Sequence, residues 1–273
     1  MSTAITLPGG ALIDGQVVRA AMFRPLTGRL EQQLAAAAEL PSVPHRVSAV
    51  LATALAYVGK HPMTEAVAAR LSVSDRQFLV LAVALEFGDD QQWRHLICSR
   101  CHARFDVGFR LSELPLTPAG DGYPFAETIV SGRRLRLRVP NGEDEAQIIE
   151  LAPGDARRTL ACRCVVAIDG DAPSDEALAA LDDAAIDAID AALDAVAPQL
   201  ATVVSTACSE CGTAHSLEID PYRMPALDTE ALYRDVHTLA LRYHWSEAQC
   251  LRLPRDRRQI YVDLIDQSRG MNH

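Results

Sequence analysis

Lysine is almost missing from this chain. Of 26 basic side chains only Lys60 is a lysine, and the other positive charges are arginines. Acidic residues number 36, which leaves a formal net charge of −10. That balance argues against a general nucleic-acid binder, whose footprint is basic. No run of about 20 apolar residues occurs, so no membrane-spanning helix is expected. The opening stretch from Met1 to Gly15 lacks the apolar run of a secretory signal. These absences together predict a cytoplasmic protein. Catalytic signatures are missing as well: there is no GxSxG, HExxH, P-loop or GxGxxG. His45, His61, His95, His237 and His244 are dispersed, and the adjacent pairs Asp89-Asp90 and Asp182-Asp183 point apart on any regular element. No acid–base or nucleophile constellation assembles. The expectation is therefore no catalytic residue, no enzyme and no small-molecule substrate.

What is present is an ordinary globular composition, 49% hydrophobic and 23% charged, sufficient for a sizeable core. Seven cysteines stand in it. In a chain without export signals, paired cysteines read as metal ligands before disulfides. Four form two CxxC knuckles, Cys98-Cys101 and Cys208-Cys211, and these sit inside an internal repeat. Placing Cys98 on Cys208 puts Cys101 on Cys211, Phe105 on His215, Val107 on Leu217 and Phe109 on Ile219, and Leu114-Pro115 on Met224-Pro225. The plan, twice over, is strand, knuckle, alternating strand and a Leu/Met-Pro stop.

Two thiolates separated by two residues can both point inward from a tight turn. Two such turns facing one another complete a tetrahedral four-cysteine site, which leaves no open position for catalysis. The expectation is one structural Zn2+ held by Cys98, Cys101, Cys208 and Cys211. Gly212 after the second knuckle suits an unusual backbone angle. His102 occupies that place in the first, which predicts a looser turn. Between Cys101 and Cys208 lie 106 residues, against roughly 15–20 in a compact ribbon. The insert must then be a subdomain whose ends meet at the metal. Cys162, Cys164 and Cys250 read as core residues, and His102 and His215 as exposed turn residues near the site.

The fold class expected is α+β. Residues 1–90 hold an N-terminal hairpin, from Ile5 to Arg24 with turn signals at Pro8-Gly9-Gly10 and Asp14-Gly15, followed by helices from about Leu26, Val43 and Ser74. Residues 91–115 and 200–225 form a zinc-ribbon-like core, residues 116–199 an inserted α/β subdomain, and residues 226–273 a C-terminal segment of short helices. Within the insert, Asp169 to Asp194 carries nine acidic residues and no lysine or arginine. Leu181, Ala185, Ile189, Leu193 and Val196 mark one face there, so a helix with a solvated acidic side accounts for the run better than an acidic docking surface does. Asp228 is placed to cap a helix striped by Leu232, Val236, Leu239 and Tyr243. Ser246 with Gln249 makes a capping box for the next, and Trp245 is placed to reach Cys250 as a hydrophobic staple.

The C-terminal run Asp235-Val236-His237-Thr238-Leu239-Ala240, Tyr243-His244-Trp245-Ser246-Glu247-Ala248, Leu251-Arg252-Leu253-Pro254, Arg257-Arg258 and Tyr261 resembles the closing segment of T-even-type phage baseplate hub assembly chaperones. The segment Phe23-Arg24-Pro25-Leu26-Thr27-Gly28-Arg29 looks like the N-terminal motif of the same contractile-tail baseplate proteins. The two knuckles with an insert between them are similar too. The resemblance implies a non-enzymatic assembly chaperone or structural component of a contractile tail or related injection machine. It would act through contacts with baseplate or tail hub proteins, with no nucleic acid and no membrane. Trp245, Arg257, Arg258 and Tyr261 are the candidate partner-binding residues, an aromatic and arginine anchor, although ordinary helix packing also explains the aromatics. Two rivals remain: a zinc-ribbon nucleic-acid-binding or transcription-related module, and a redox protein using its dithiol turns.

Overall fold

The computed structural model describes residues 3–224 and 227–270. Pro225, from the second Leu/Met-Pro stop, lies outside them. The structure mixes helices and strands. Strands β1 (Ala4–Ile13) and β2 (Gln16–Phe23) form the expected hairpin. Its turn is made by Asp14 and Gly15, both at positive φ, the pairing that matches strand twist. At Pro8-Gly9-Gly10 the register shifts between Thr6 and Ala11, with Gly10 at φ +107. Helices α1 (Gly28–Ala38) and α2 (Val43–Ala54) follow. The chain then turns back as β3 (Leu55–Val58) and β4 (His61–Pro62), which extend the hairpin into a four-stranded antiparallel sheet ordered β1-β2-β3-β4. The helix expected from Val43 to Tyr57 therefore stops at Ala54, and Leu55 to Tyr57 belong to a strand.

A short helix α3 (Glu65–Arg70) precedes α4 (Val73–Phe87). The cap of α4 is Ser72, not Ser74: the Ser72 hydroxyl accepts from the Asp75 amide and donates to the Asp75 carboxylate. Asp75 is fully buried and also accepts from the amides of Gly9 and Gly10 and from the Tyr123 hydroxyl. The bulge in β1 is thus held by a helix N-terminus. Sheet and helices enclose one core running from Leu7 to Phe87.

Two β-ribbons rise beyond it. The first pairs β5 (Gln91–Ile97) with β6 (Arg104–Arg110). A 3-10 turn, Leu111–Glu113, leads to β7 (Leu116–Thr117), and then comes the insert. It contains β8 (Phe125–Val130), β9 (Arg133–Arg138), α5 (Gly142–Ile148), α6 (Pro153–Cys164), β10 (Val165–Ile168), α7 (Asp175–Ala179) and α8 (Asp183–Val196). A sheet ordered β10-β9-β8 packs against α6 and α8 around Leu135, Leu137, Cys164 and Ile189. The acidic run covers a turn at Asp169–Asp171, α7 and most of α8, whose inner face lies at Ala185, Ile186, Ile189 and Leu193. Asp183, Asp187 and Asp190 pair with Arg157 and Arg158 on α6, so part of the acidic face is neutralised within the insert.

The insert closes where β11 (Gln199–Leu200) pairs with β7. The chain continues into the second ribbon, β12 (Val203–Ala207) with β13 (Ala214–Glu218), and ends in α9 (Thr229–Tyr243), α10 (Glu247–Arg252) and α11 (Arg255–Gly270). Asp228 caps α9, and Ser246 with Gln249 forms the capping box of α10. The last helix has 16 residues and is not the short element expected. Pro254 lies just before it, with its carbonyl taking the Arg258 amide, so the proline sits ahead of the first helical turn and costs it no hydrogen bond.

Buried ion pairs tie these parts together. Arg76 is fully buried and donates to Glu145 of α5, to Ser48 and to the carbonyls of Pro44 and Ala68. Glu145 also accepts from Tyr222, which follows the second ribbon. Glu31 on α1 takes Arg255 and Arg258 from α11, and Arg258 reaches Asp235 on α9 as well. The Phe23–Arg29 segment and the Leu253-Pro254 segment, read from opposite ends of the sequence, meet here: Thr27 bridges Pro254, and the Arg255 amide donates to the Leu26 carbonyl.

Candidate metal centre and docking surface

Each knuckle begins with a cysteine whose amide is tied back across the turn. The Cys98 amide donates to the Ala103 carbonyl at 2.9 Å, and the Cys208 amide to the Thr213 carbonyl at 2.9 Å. The fourth residue after each first cysteine closes the loop: the His102 amide donates to the Cys98 carbonyl at 3.0 Å, and the Gly212 amide to the Cys208 carbonyl at 2.9 Å. Both residues are left-handed, His102 at φ +59 and Gly212 at φ +70. The first turn is therefore not looser than the second. It adopts the same backbone and holds a histidine where glycine is free of strain.

The ribbons bring all four sulfurs within 4.8 Å of one another. Cys98 Sγ lies 3.6 Å from Cys211 Sγ, and Cys101 Sγ 3.7 Å from Cys208 Sγ. With metal–sulfur bonds near 2.3 Å, the edge of a tetrahedron is about 3.8 Å. The separations suit four ligands of one ion and are far too long for disulfide bonds of about 2.05 Å. Cys98 and Cys208 are buried, Cys211 is half-buried and Cys101 is exposed. Phe105 and Val107 complete the small apolar shell.

Electrostatics already favour thiolate at part of the cluster. The amides of Cys101 and Arg100, the His215 ring and the Cys211 sulfur bring the Cys98 thiol down to about 5. Thr213 lowers Cys211 through its hydroxyl and its amide. Cys101, although the Ala103 amide favours its thiolate, is pushed up to about 12 by the neighbouring sulfurs and desolvation. Four like groups in contact cannot all ionise unaided, and a dication would reverse that for the last of them.

His215 is not the exposed turn residue expected. It lies on β13, half-buried, with Nε2 3.4 Å from Cys98 Sγ and its ring 5.4 Å from that of Phe105. The repeat itself held the signal, since Phe105 and His215 fall on the same position of the two ribbons. His102 is exposed, as expected. Cys162 and Cys164 diverge on α6: Cys164 is buried, with burial pushing its thiol up to about 12, and Cys162 faces the Leu178 carbonyl. Cys250 is buried among α9–α11. None of these three belongs to a cluster of three or more potential metal ligands among the described residues.

At the other proposed surface, Trp245 stacks on Tyr243 with centroids 5.0 Å apart and meets Tyr261 edge-on at 5.0 Å. Trp245 also joins the cluster containing Cys250, as the staple predicts. Arg257 is exposed. Arg258 is not: it is 2% accessible and paired with Glu31 and Asp235. That removes it from any docking face, because one arginine position along α11 turns the side chain from solvent to core. Ile260 and Leu264, which the sequence reading passed over, are the exposed apolar residues of α11. No helix among the described residues is long and apolar enough to cross a membrane.

Comparison with known proteins adds one match. The family model described as "T4 bacteriophage base plate protein" matches residues 12–222, more than three quarters of the chain. The match spans both knuckles and the insert and stops before α9. No curated protein and no solved structure matches the chain significantly. On the extent of the family match, the chain belongs to the T4 bacteriophage base plate protein family.

Proposed function

We propose that the protein is a non-enzymatic assembly chaperone or structural component of a contractile-tail baseplate, held in shape by one structural Zn2+ on Cys98, Cys101, Cys208 and Cys211. The observation that carries the reading is the meeting of four sulfurs from knuckles 106 residues apart, within a chain of a baseplate family. The donor set fits zinc: four soft thiolates at tetrahedral spacing, with every position filled by protein. The ion clasps the ribbons, and the ribbons together with the β7–β11 pair hold the zinc-ribbon-like core of residues 91–115 and 200–225 at the neck of the insert.

The partners are baseplate or tail hub proteins, met in the cytoplasm during tail assembly. The docking surface includes Trp245, Tyr261 and Arg257, with Ile260 and Leu264 beside them. Aromatic and arginine side chains of this kind are the usual anchors of protein interfaces. A net charge of −10 disfavours the nucleic-acid alternative.

Co-expression with baseplate and hub proteins of the same tail tests the proposal. The expected result is stoichiometric co-elution with a baseplate or hub protein, and one zinc per chain by elemental analysis. A chain that elutes alone, free of zinc, and that binds DNA in a salt-dependent manner would refute it.

A further inference from the structure

The two ribbons share a backbone plan but not the side chains that surround the sulfurs. Continuing the alignment of Cys98 on Cys208 places Ala103 on Thr213 and Phe105 on His215. Thr213 Oγ1 lies 3.2 Å from Cys211 Sγ, on its own knuckle. His215 Nε2 lies 3.4 Å from Cys98 Sγ, on the opposite knuckle. The side chains of the corresponding Ala103 and Phe105 have no polar atoms to offer. The first ribbon contributes backbone, with the Arg100 amide donating to Cys98 Sγ at 3.4 Å. Among the described residues, both side chains that hydrogen-bond the sulfurs come from the second ribbon.

We infer that His215 and Thr213 are positioning residues that hold the ion in the four-cysteine site by donating hydrogen bonds to its thiolates, His215 across the ribbon interface. This rests on the zinc reading above. Four thiolates around a dication leave two negative charges in a half-buried place. A thiolate facing an apolar neighbour is a stronger base and an easier target for protons or competing metals. With its proton on Nε2, His215 donates to buried Cys98, and the Thr213 hydroxyl donates to Cys211. Charge-assisted bonds of this kind are the stronger class. Because His215 reaches from one ribbon to a ligand of the other, its bond also closes the interface that the metal spans. Partners of metal ligands typically alter affinity by about 10–100-fold.

His215 also packs on Phe105, so a purely structural role must be separated from hydrogen bonding. His215→Phe keeps an aromatic ring and removes the donor. His215→Gln keeps an N–H at similar reach and removes the ring. Thr213→Val keeps the shape and removes the hydroxyl. The full-length chain is loaded with zinc, and metal transfer to a chromogenic chelator is timed. The same variants are loaded with cobalt, and the sulfur-to-cobalt charge-transfer band is recorded. The expected result is transfer about 10-fold faster for His215→Phe and a few-fold faster for Thr213→Val, with His215→Gln close to wild type. The cobalt band should move to longer wavelength in His215→Phe and stay in place in His215→Gln, since an unbonded thiolate is easier to oxidise. If His215→Phe and Thr213→Val release zinc at the wild-type rate, or if the Gln variant is as fast as the Phe variant, the inference is overturned while the zinc reading stands. Wild-type protein that shows no thiolate–cobalt band would remove both. Should His215→Phe fail to fold, the Thr213→Val rate and band decide alone.

Discussion

The N-terminal body encloses a core from Leu7 to Phe87, with Arg76 and Asp75 locked inside by hydrogen bonds. The ribbon pair has Cys98, Phe105, Val107 and Cys208 as its buried residues. One region is held by apolar burial, at roughly 25 cal/mol per Å². The other is too thin to hold itself that way. Two-stranded ribbons are marginal alone, and small modules with so little core take a metal or a disulfide as a staple. The difference teaches where each region is vulnerable: the body to loss of a buried partner, the ribbons to loss of a cysteine from the four-sulfur cluster.

Breaking the ribbon side should have the largest effect. On the zinc proposal, replacing Cys208 with serine, or adding a strong chelator, should remove a term on the order of 10 kcal/mol, as in comparable zinc modules. Hydrogen-exchange protection should vanish in β5, β6, β12 and β13 while the amides of α2 and α4 remain protected. Equal loss in both regions would mean that the two are not separately stabilised.

On the body side, Arg76→Met removes a fully buried guanidinium and leaves half-buried Glu145 without its partner. The expected destabilisation is about 3–5 kcal/mol, seen as a lower urea midpoint with zinc content unchanged. Zinc loss at the same time would join the two regions energetically.

Asp144 sharpens the comparison through pH. It is fully buried, and despite desolvation the hydrogen bonds from Arg138, the Asn141 amide and Arg163 keep its carboxyl below the ordinary 3.8. Its folded value is depressed, so its contribution is present above 3.8 and fades as the pH falls through the folded value. Asp144→Asn should lose about 2–3 kcal/mol at neutral pH, less than Arg76 because Arg138 and Arg163 reach solvent. Its stability should also fall less steeply in acid than that of wild type, measured by denaturant titration from pH 6 to pH 3.

The smallest effect tests the two turns against each other. A Cβ on Gly212 meets nothing within 4 Å, so only the left-handed backbone opposes it. Gly212→Ala should cost about 1 kcal/mol. His102→Gly relieves the same strain but loosens the unfolded chain, and should fall within about 0.5 kcal/mol of wild type. Melting of the zinc-loaded protein would show both, and a large loss at His102 would assign that side chain a role beyond the turn.

Much of the chemistry was legible because it is local. Cys98-Cys101 and Cys208-Cys211 announce themselves by spacing, and Asp228 and the Ser246–Gln249 pair mark helix starts that exist as read. Short elements were not legible. β3 and β10 follow helices with no turn residue between, and α3 spans only six residues. The sequence points to Ser74 as the start of α4, but the cap is Ser72, whose hydroxyl bonds the Asp75 carboxylate that also holds the β1 bulge.

By itself, then, the sequence determined the two cysteine pairs, the repeated strand–knuckle–strand plan and the amphipathic faces of the helices, since each depends on residues a few positions apart. Tertiary structure alone decided that Arg258 is buried while Arg257 is exposed, and that His215 reaches a cysteine 117 positions away. It also decided that the two arms of the insert pair at β7 and β11. Those outcomes depend on which surfaces meet, and packing between distant segments is not encoded in the periodicity of either one.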